Sequence, residues 1–521
     1  MNKIRILLVW VLWLLFAGSP GTSWAQTTAD SIRVNAYFES IIKDKNLLRQ
    51  FFSEMPKGGD IHNHLTGSAY AETYFELACR DSLWVDMDNG KLYAQKPSEQ
   101  TASNVLRLYA SMPNLHNVRM TLIDKWSIRN FEPYKSSFGA DEYFFGTFGL
   151  FGAVTGKHMV ELMAELRRRA ATENVQYLEV MVSSPKMNKE ILDAACGKGF
   201  YDEYNEKLKK SILHDKKNIY NKNVVYDKET IDDVYDVLAE IYKKWQTSPA
   251  MEERVKEYVQ YIDSIDVNSA LEAGYPRAPV CYYQGYASRN SDPLVVFAQL
   301  YTVYEGCSKK NTKLVGVNIV AAENSEVSMA HYNGHMKMFD YLNRTPVGKN
   351  VNTSLHAGEM TLGLVRPEYL SSHISEAVYT AKAKRIGHGV DIAFEPGSVS
   401  LLQEMKRNNI IVEINLVSNE FILGVKEDAH PFPLYRKAGV PVVISTDDPG
   451  ILRTNLTQQY VLLALRYGVG YYEIKELIRN GIRYGFLPDK EKKELLKRLE
   501  TELSTFESKW ANNILVIQNW K

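Results

Sequence analysis

Two histidines stand two apart in the stretch MPKGGDIHNHLTGSAY, Met55 to Tyr70: His62 and His64. Residues two apart on an extended strand face the same side, so such a pair can present two imidazoles to one ion. Alone, it is as easily a chance pairing in a polar loop. Further ligand-competent groups recur downstream: His356 and Glu359 in HAGE, His388 in GHG, and Asp447 and Asp448 in STDDP. Three histidines and a carboxylate can hold one Zn²⁺ through nitrogen and oxygen and still leave a position for water. That is hydrolytic chemistry. A single GHG or DDP is ordinary turn composition, so the weight rests on where all of them fall together. The remaining histidines (His116, His158, His214, His331, His335, His373 and His430) lie in helical or loop stretches and read as structural.

The elements that would position these groups are short, apolar, β-branched runs. They are GGDIHNH near residue 60, VQYLEVMV from Val175, APVCYYQG from Ala278 and KLVGVNIV from Lys313. NTSLHAGE from Asn352, KRIGHG from Lys384, NIIVEINL from Asn409 and VPVVIST from Val440 complete the set. Longer amphipathic stretches separate them, the pattern of parallel βαβ units. Eight such units predict a (β/α)₈ TIM barrel, in which catalytic groups sit at the C-terminal strand ends. Each candidate above falls at such an end. Residues 26–55 read as an N-terminal helical segment stopped by Pro56, and residues 56–521 as the barrel. Two intervals are too long for a plain crossover and read as insertions, at about 80–130, with a hairpin around Asn89-Gly90, and at about 186–270, mostly helical. The stretch DKEKKELLKRLETELSTF predicts an exposed amphipathic helix.

Composition bounds the partners. Lys+Arg and Asp+Glu number 62 each, giving a formal net charge of zero. Nothing in that balance favours nucleic acid or an anionic membrane. The first 25 residues have a basic start (Lys3, Arg5), an apolar run from Ile6 to Ala17, and small Ser23 and Ala25 before Gln26. That is a signal peptide, predicting an exported protein, periplasmic or extracellular, with no membrane contact after removal. A retained anchor is disfavoured, because a spanning helix needs about 20 apolar residues. Cys79, Cys196, Cys281 and Cys307 show neither a disulfide framework nor a C-x-x-C pair, so thiolate zinc is not supported.

In order along the chain, MPKGGDIHNHL, SLHAGE, RIGHGVD, NLVSNEF and HPFPLYRKAGVPVVISTDDPG resemble the adenosine deaminase family of metal-dependent amidohydrolases. With the export signal, MPKG is most similar to the secreted, growth-factor-type branch. The resemblance implies one Zn²⁺ per chain, held by His62, His64, His356 and Asp447. It also implies Glu359 as proton donor to purine N1, His388 as the group that orients and deprotonates the attacking water, and Asp448 as a hydrogen-bonding partner of N7. Binuclear relatives use a carboxylated lysine at the end of strand four; here that end reads NIVAAEN, which favours one metal. The H-x-E and P-C-x-x-C signature of the other zinc deaminase fold is missing.

The departures concern substrate. The family's Leu-Asp-Gly after the histidine pair, whose Asp lies near the ribose 5′ end, is Leu65-Thr66-Gly67 here. The glycine expected after strand four, whose N–H meets purine N3, is matched by Ala322. DEYFFGTF resembles the segment over the purine, with Phe148 a substrate contact, although Phe144, Phe145 and Phe148 equally suit a core. The expected substrate is adenosine or 2′-deoxyadenosine. The alternatives are another 6-aminopurine (adenine, AMP or an adenosine derivative) and a catalytically silent binding barrel. The helix ahead of Met55 is a possible homodimer contact.

Overall fold

The computed structural model describes residues 29–220, 233–274 and 278–517; the signal peptide expected at residues 1–25 lies outside them. Eight strands form on the eight apolar runs: β1 Gly58–His64, β2 Val175–Ser183, β3 Val280–Ser288 and β4 Leu314–Val320, then β5 Asn352–Ala357, β6 Arg385–His388, β7 Ile411–Ile414 and β8 Val442–Ile444. Each pairs in parallel with the next. The ring closes between its first and last members. Asn63 bridges Asp447, the His64 N–H donates to the Asp447 carbonyl at 3.0 Å, and the Asp447 N–H donates to the His62 carbonyl at 2.9 Å. The fold is a (β/α)₈ barrel.

Strands covered on both faces must be apolar almost throughout, which is why these runs lack polar alternation. The helix Pro293–Cys307, PLVVFAQLYTVYEGC, is correspondingly buried nearly all round against β3 and β4. Between β1 and β2 the chain builds a three-stranded antiparallel sheet and several helices. The hairpin expected at Asn89-Gly90 pairs Trp84 with Tyr93 and Val85 with Leu92. Between β2 and β3 the described residues form four helices, Lys189–Cys196, Phe200–Tyr220, Val234–Gln246 and Pro249–Ala273.

The N-terminal helices Ala29–Ile41 and Lys45–Glu54 pack against the C-terminal helix Asp489–Ile517 and its neighbours. Asp44 caps the second of them, accepting from the Asn46 and Leu47 amides. Their apolar face forms an aromatic cluster in which Phe51 lies 5.3 Å from Phe38, 5.1 Å from Phe506 and 5.0 Å from Trp510. The apolar face of the helix ahead of Met55 is thus covered by the C-terminal helix. All four cysteines are free, and Cys281 is buried. Among the described residues, no helix is long and apolar enough to cross a membrane.

Candidate metal and catalytic site

The C-terminal strand ends bring the candidate groups together. β1 carries His62 and His64, β5 carries His356 with Glu359 two residues beyond it, β6 ends in His388, and Asp447-Asp448 follow β8. Three turns at these ends are left-handed at a non-glycine residue: Ala321 (φ 87°), His388 (φ 69°) and Asp447 (φ 64°). An L-residue there costs about 1–2 kcal/mol. Such strain persists only where the surroundings fix it, and it concentrates at functional sites.

Donor atoms converge. His62 Nε2 and His64 Nε2 each lie 3.3 Å from Asp447 Oδ1, and His64 Nε2 lies 3.1 Å from His356 Nε2. A tetrahedral ion with bonds of about 2.0–2.1 Å sets its donors roughly 3.3 Å apart. Those three separations are edges of that size. His388 stands on the other side, with Nε2 3.9 Å from Asp447 Oδ2 and 3.6 Å from Glu359 Oε1. The ligating atoms of His62, His356, His388 and Asp447 all lie within 4.8 Å of one another, and so do those of His64, Asp447 and Asp448. His62 Nε2, His388 Nε2 and Asp448 Oδ1 are buried without a hydrogen-bond partner. Orphaned polar atoms in a buried cluster mark a place where a ligand completes the bonding. The residues fit a metal ion.

The electrostatics agree. Burial, with neighbouring imidazole charge, holds His356 well below its ordinary value, and burial pushes His388 down to about 3, so both keep a free lone pair at neutral pH. Burial opposes ionisation of Asp447, but the His62 and His64 imidazoles against it outweigh that and hold this carboxyl well below the usual range. At His62 burial disfavours the cation, yet the Asp447 and Glu413 carboxylates prevail and push it up to about 10. Glu359 goes the other way. Burial, then the charges of Asp447 and Glu323, raise it well above the usual range, which suits a proton donor.

Beneath the donors lies a buried polar network that the sequence reading missed. His62 Nδ1 meets Glu413 Oε2 at 2.5 Å, and Glu413 Oε1 accepts from Ser354 Oγ at 2.9 Å and pairs with Arg385 Nε at 2.7 Å. Arg385 also reaches Glu179, which accepts from Tyr177 and Gln284. Gln284 in turn accepts from Asn318 Nδ2, and Asn318 Oδ1 meets His356 Nδ1 at 3.0 Å. The distal nitrogens of two donor histidines are thereby fixed, which sets the tautomer and orientation of each ring. His388 is held similarly. Asn419 bridges His388 Nδ1 (2.9 Å) and His430 Nε2 (3.0 Å), so His430 belongs to the site's support. The signal was available: Glu179, Gln284, Asn318, Arg385 and Glu413 are polar residues inside otherwise apolar strands.

Comparison with known proteins accords with this geometry. Residues 297–502 match the adenosine deaminase family model. An adenosine deaminase of Xenopus laevis is 32% identical over 200 residues, 38% of this chain and 51% of that protein. An adenine deaminase of Rhizobium johnstonii is 30% identical over 191 residues, 36% of this chain and 53% of that protein. Over residues 297–502 the chain is thus similar to the adenosine deaminase family. It spans about half the length of the curated relatives it matches. An N6-methyl-AMP deaminase structure from Arabidopsis thaliana shares the fold, with TM-score 0.53 and 17% identity over 87% of this chain and 98% of that one. The family match takes in His356, Glu359, His388, Asp447 and Asp448; His62 and His64, ahead of it, join them through the barrel's closure.

Family resemblance also assigned substrate contacts, and here the placement is mixed. Thr66 is half-buried in the short helix Leu65–Ser68, and its carbonyl accepts from Tyr74 at 2.6 Å. Phe148 belongs to an aromatic row, 5.6 Å from Phe144 and 6.1 Å from Phe151, which stacks on Tyr74. That row is packing, and its last member touches Thr66. After β4 the left-handed residue is Ala321, not Ala322. A glycine-type position belongs where φ is positive, so the family's glycine corresponds to Ala321, one residue earlier than its sequence assignment. Two open grooves of about 510 and 530 Å³ lie near the opposite strand ends, around Arg385 and Phe486, away from these donors.

Proposed function

We propose that this chain is an exported, zinc-dependent aminohydrolase acting on adenosine or 2′-deoxyadenosine, releasing ammonia with inosine or deoxyinosine. The observation that supports this most is Glu359, buried with its carboxyl facing His388 across from the His62–His64–His356–Asp447 donors. Those four residues would hold the ion. Bound there, zinc would lower the pKa of water to roughly 7 and so would supply a nucleophile at neutral pH. Water oxygen bonds to C6, the amino nitrogen takes the proton that the water gave up, the bond from C6 to that nitrogen breaks, and ammonia leaves. Glu359 donates to N1 as charge develops there. His388 orients the attacking water and takes its proton, and Asp448 hydrogen-bonds N7. MPKG and the apolar run at the N-terminus support the reading of an exported protein of the secreted type.

A second reading is another 6-aminopurine, since the Rhizobium relative is named for adenine and the Arabidopsis structure for N6-methyl-AMP. Thr66 offers no carboxylate to a ribose. Arg289, the cation just past β3, is fully buried, donates to the Ile319 and His356 carbonyls, and faces Glu323; it is not available to a phosphate. That favours a neutral substrate. The test incubates purified protein with adenosine, deoxyadenosine, adenine and AMP, with and without chelator, and follows loss of the 6-aminopurine absorbance. Chelator-sensitive turnover of the nucleosides is expected. Turnover of adenine alone would overturn the nucleoside assignment, and no turnover of any would overturn the enzyme reading.

A further inference from the structure

We propose that Glu323, clamped by Arg289 and His373, is a positioning residue that aims Glu359 at its substrate. The proposal rests on the deaminase reading above. Glu323 lies just past β4, fully enclosed, and its two carboxylate oxygens accept from two successive amides of the turn that carries Glu359. The Gly358 N–H donates to Oε1 at 3.1 Å and the Glu359 N–H to Oε2 at 3.0 Å. The carboxylate is itself held. His373 Nδ1 meets Oε1 at 2.5 Å, and Arg289 Nη1 stands 3.5 Å from Oε2. Arg289 Nη2 donates onward to the His356 carbonyl at 2.7 Å and the Ile319 carbonyl at 3.1 Å, tying β5 to β4. His373 is fixed by Tyr332, whose ring stacks on it at 3.6 Å and 9° and whose hydroxyl donates to its carbonyl.

The same turn is gripped from the opposite side. Gly358 is left-handed (φ 75°), and its carbonyl accepts from the Val390 N–H at 2.8 Å and the Asp391 N–H at 3.2 Å. Between His356 and Glu359 the backbone is thus bonded at the 356 carbonyl, the 358 amide and carbonyl, and the 359 amide. Stability alone does not call for a buried Glu–Arg–His set here. Desolvating such charges costs several kcal/mol each, and apolar residues of similar volume commonly serve as well or better. What the set does supply is an invariant Cα position for a side chain whose carboxyl must reach one ring nitrogen. A misplacement near 1 Å costs about 100-fold in rate.

The experiment uses the full zinc-loaded chain and two variants, Glu323→Ala and His373→Phe; the second keeps a ring against Tyr332 while removing the donor to Glu323. Measured are kcat, KM, zinc content, Tm and amide hydrogen exchange in the peptide spanning residues 356–361. For Glu323→Ala, kcat is expected to fall about 100-fold with KM within about 3-fold, zinc retained, and exchange at Gly358 and Glu359 accelerated. Glu323→Gln, which keeps one acceptor oxygen, should recover part of the loss, and His373→Phe should lose about 10-fold in kcat at nearly unchanged Tm. Unchanged kcat and unchanged exchange in Glu323→Ala would overturn the proposal. So would kcat, zinc content and Tm falling together in both variants, the mark of a merely structural role. If the wild type turns over none of the purines, the deaminase reading fails separately. The exchange comparison needs no substrate, and in that case it decides alone whether Glu323 holds the turn.

Discussion

Gly67 lays the short helix Leu65–Ser68 flat against Asp448, and Gly67→Ala perturbs the site sharply while removing no polar group. An added Cβ would fall 1.6 Å from Asp448 Oδ1, 2.4 Å from its Cγ and 2.7 Å from its Cβ, where real Cβ atoms essentially never come closer than 3.0 Å. The helix cannot yield, because the Gly67 carbonyl accepts from the Gly450 and Ile451 amides at 2.9 and 3.1 Å. The carboxyl must therefore retreat by about 1.4 Å, the difference between those limits. Gly67 is not among the left-handed glycines, so alanine gains about 0.5–1 kcal/mol of helix preference, against an overpacking cost of about 1–3 kcal/mol. Net stability should fall by no more than about 2.5 kcal/mol, while a shift of more than 1 Å in the Asp448 carboxyl should cost about 10²-fold or more in kcat/KM. The assay pairs steady-state kinetics with a thermal melt and zinc analysis. Retention of more than about a third of wild-type kcat/KM would refute the reasoning, and loss of zinc would move the damage to Asp447.

Three further outcomes are expected. Glu359→Gln keeps its zinc but loses nearly all turnover, checked by metal analysis beside kcat; a metal-free variant would show that the role was misassigned. Glu413→Gln removes the charged partner of His62 Nδ1 and should weaken metal affinity about 10- to 100-fold, read by chelator competition; unchanged affinity would remove Glu413 from the site's support. Ala321→Gly relieves a left-handed alanine at φ 87°. The strain of about 1–2 kcal/mol exceeds the glycine entropy penalty of about 0.5–1 kcal/mol, so denaturant unfolding should show a small gain, and a clear loss would contradict the assigned backbone.

The donors were legible in sequence because each is a reactive residue type at the end of a recognisable strand, and barrel topology says that such ends meet. Their supports were not, because the partner of each is set by tertiary contact alone. Glu413 lies 351 positions from His62. It is visible beforehand only as a charge interrupting NIIVEINL, which says that it is buried and paired but not with what. His373 and His430 illustrate the same limit. Both sit outside the strands and read as structural, yet one clamps Glu323 and the other orders Asn419 against His388. Ala321 and Ala322 are indistinguishable by type, and only a dihedral angle tells which occupies the glycine-type position. The barrel itself was readable run by run, since parallel strands covered on both faces leave continuous apolar signatures.

The seam between β1 and β8 has a consequence for how the protein comes into being. His62, which opens the donor set, and Asp447, which completes it, meet through the same backbone bonds that close the ring. A chain still emerging from synthesis, or one whose last strand has not docked, lacks Asp447 and Asp448 and so the complete donor set. Capture of an ion by these donors would therefore come late in maturation, since it depends on contacts of very large sequence separation, which are the slowest to form. Once captured, the ion pins the two margins of the sheet together, because binding only to the finished arrangement draws the equilibrium toward it. Starving the cell of metal should then leave barrels that are loose at that seam, and excess metal should rescue them without any change in sequence.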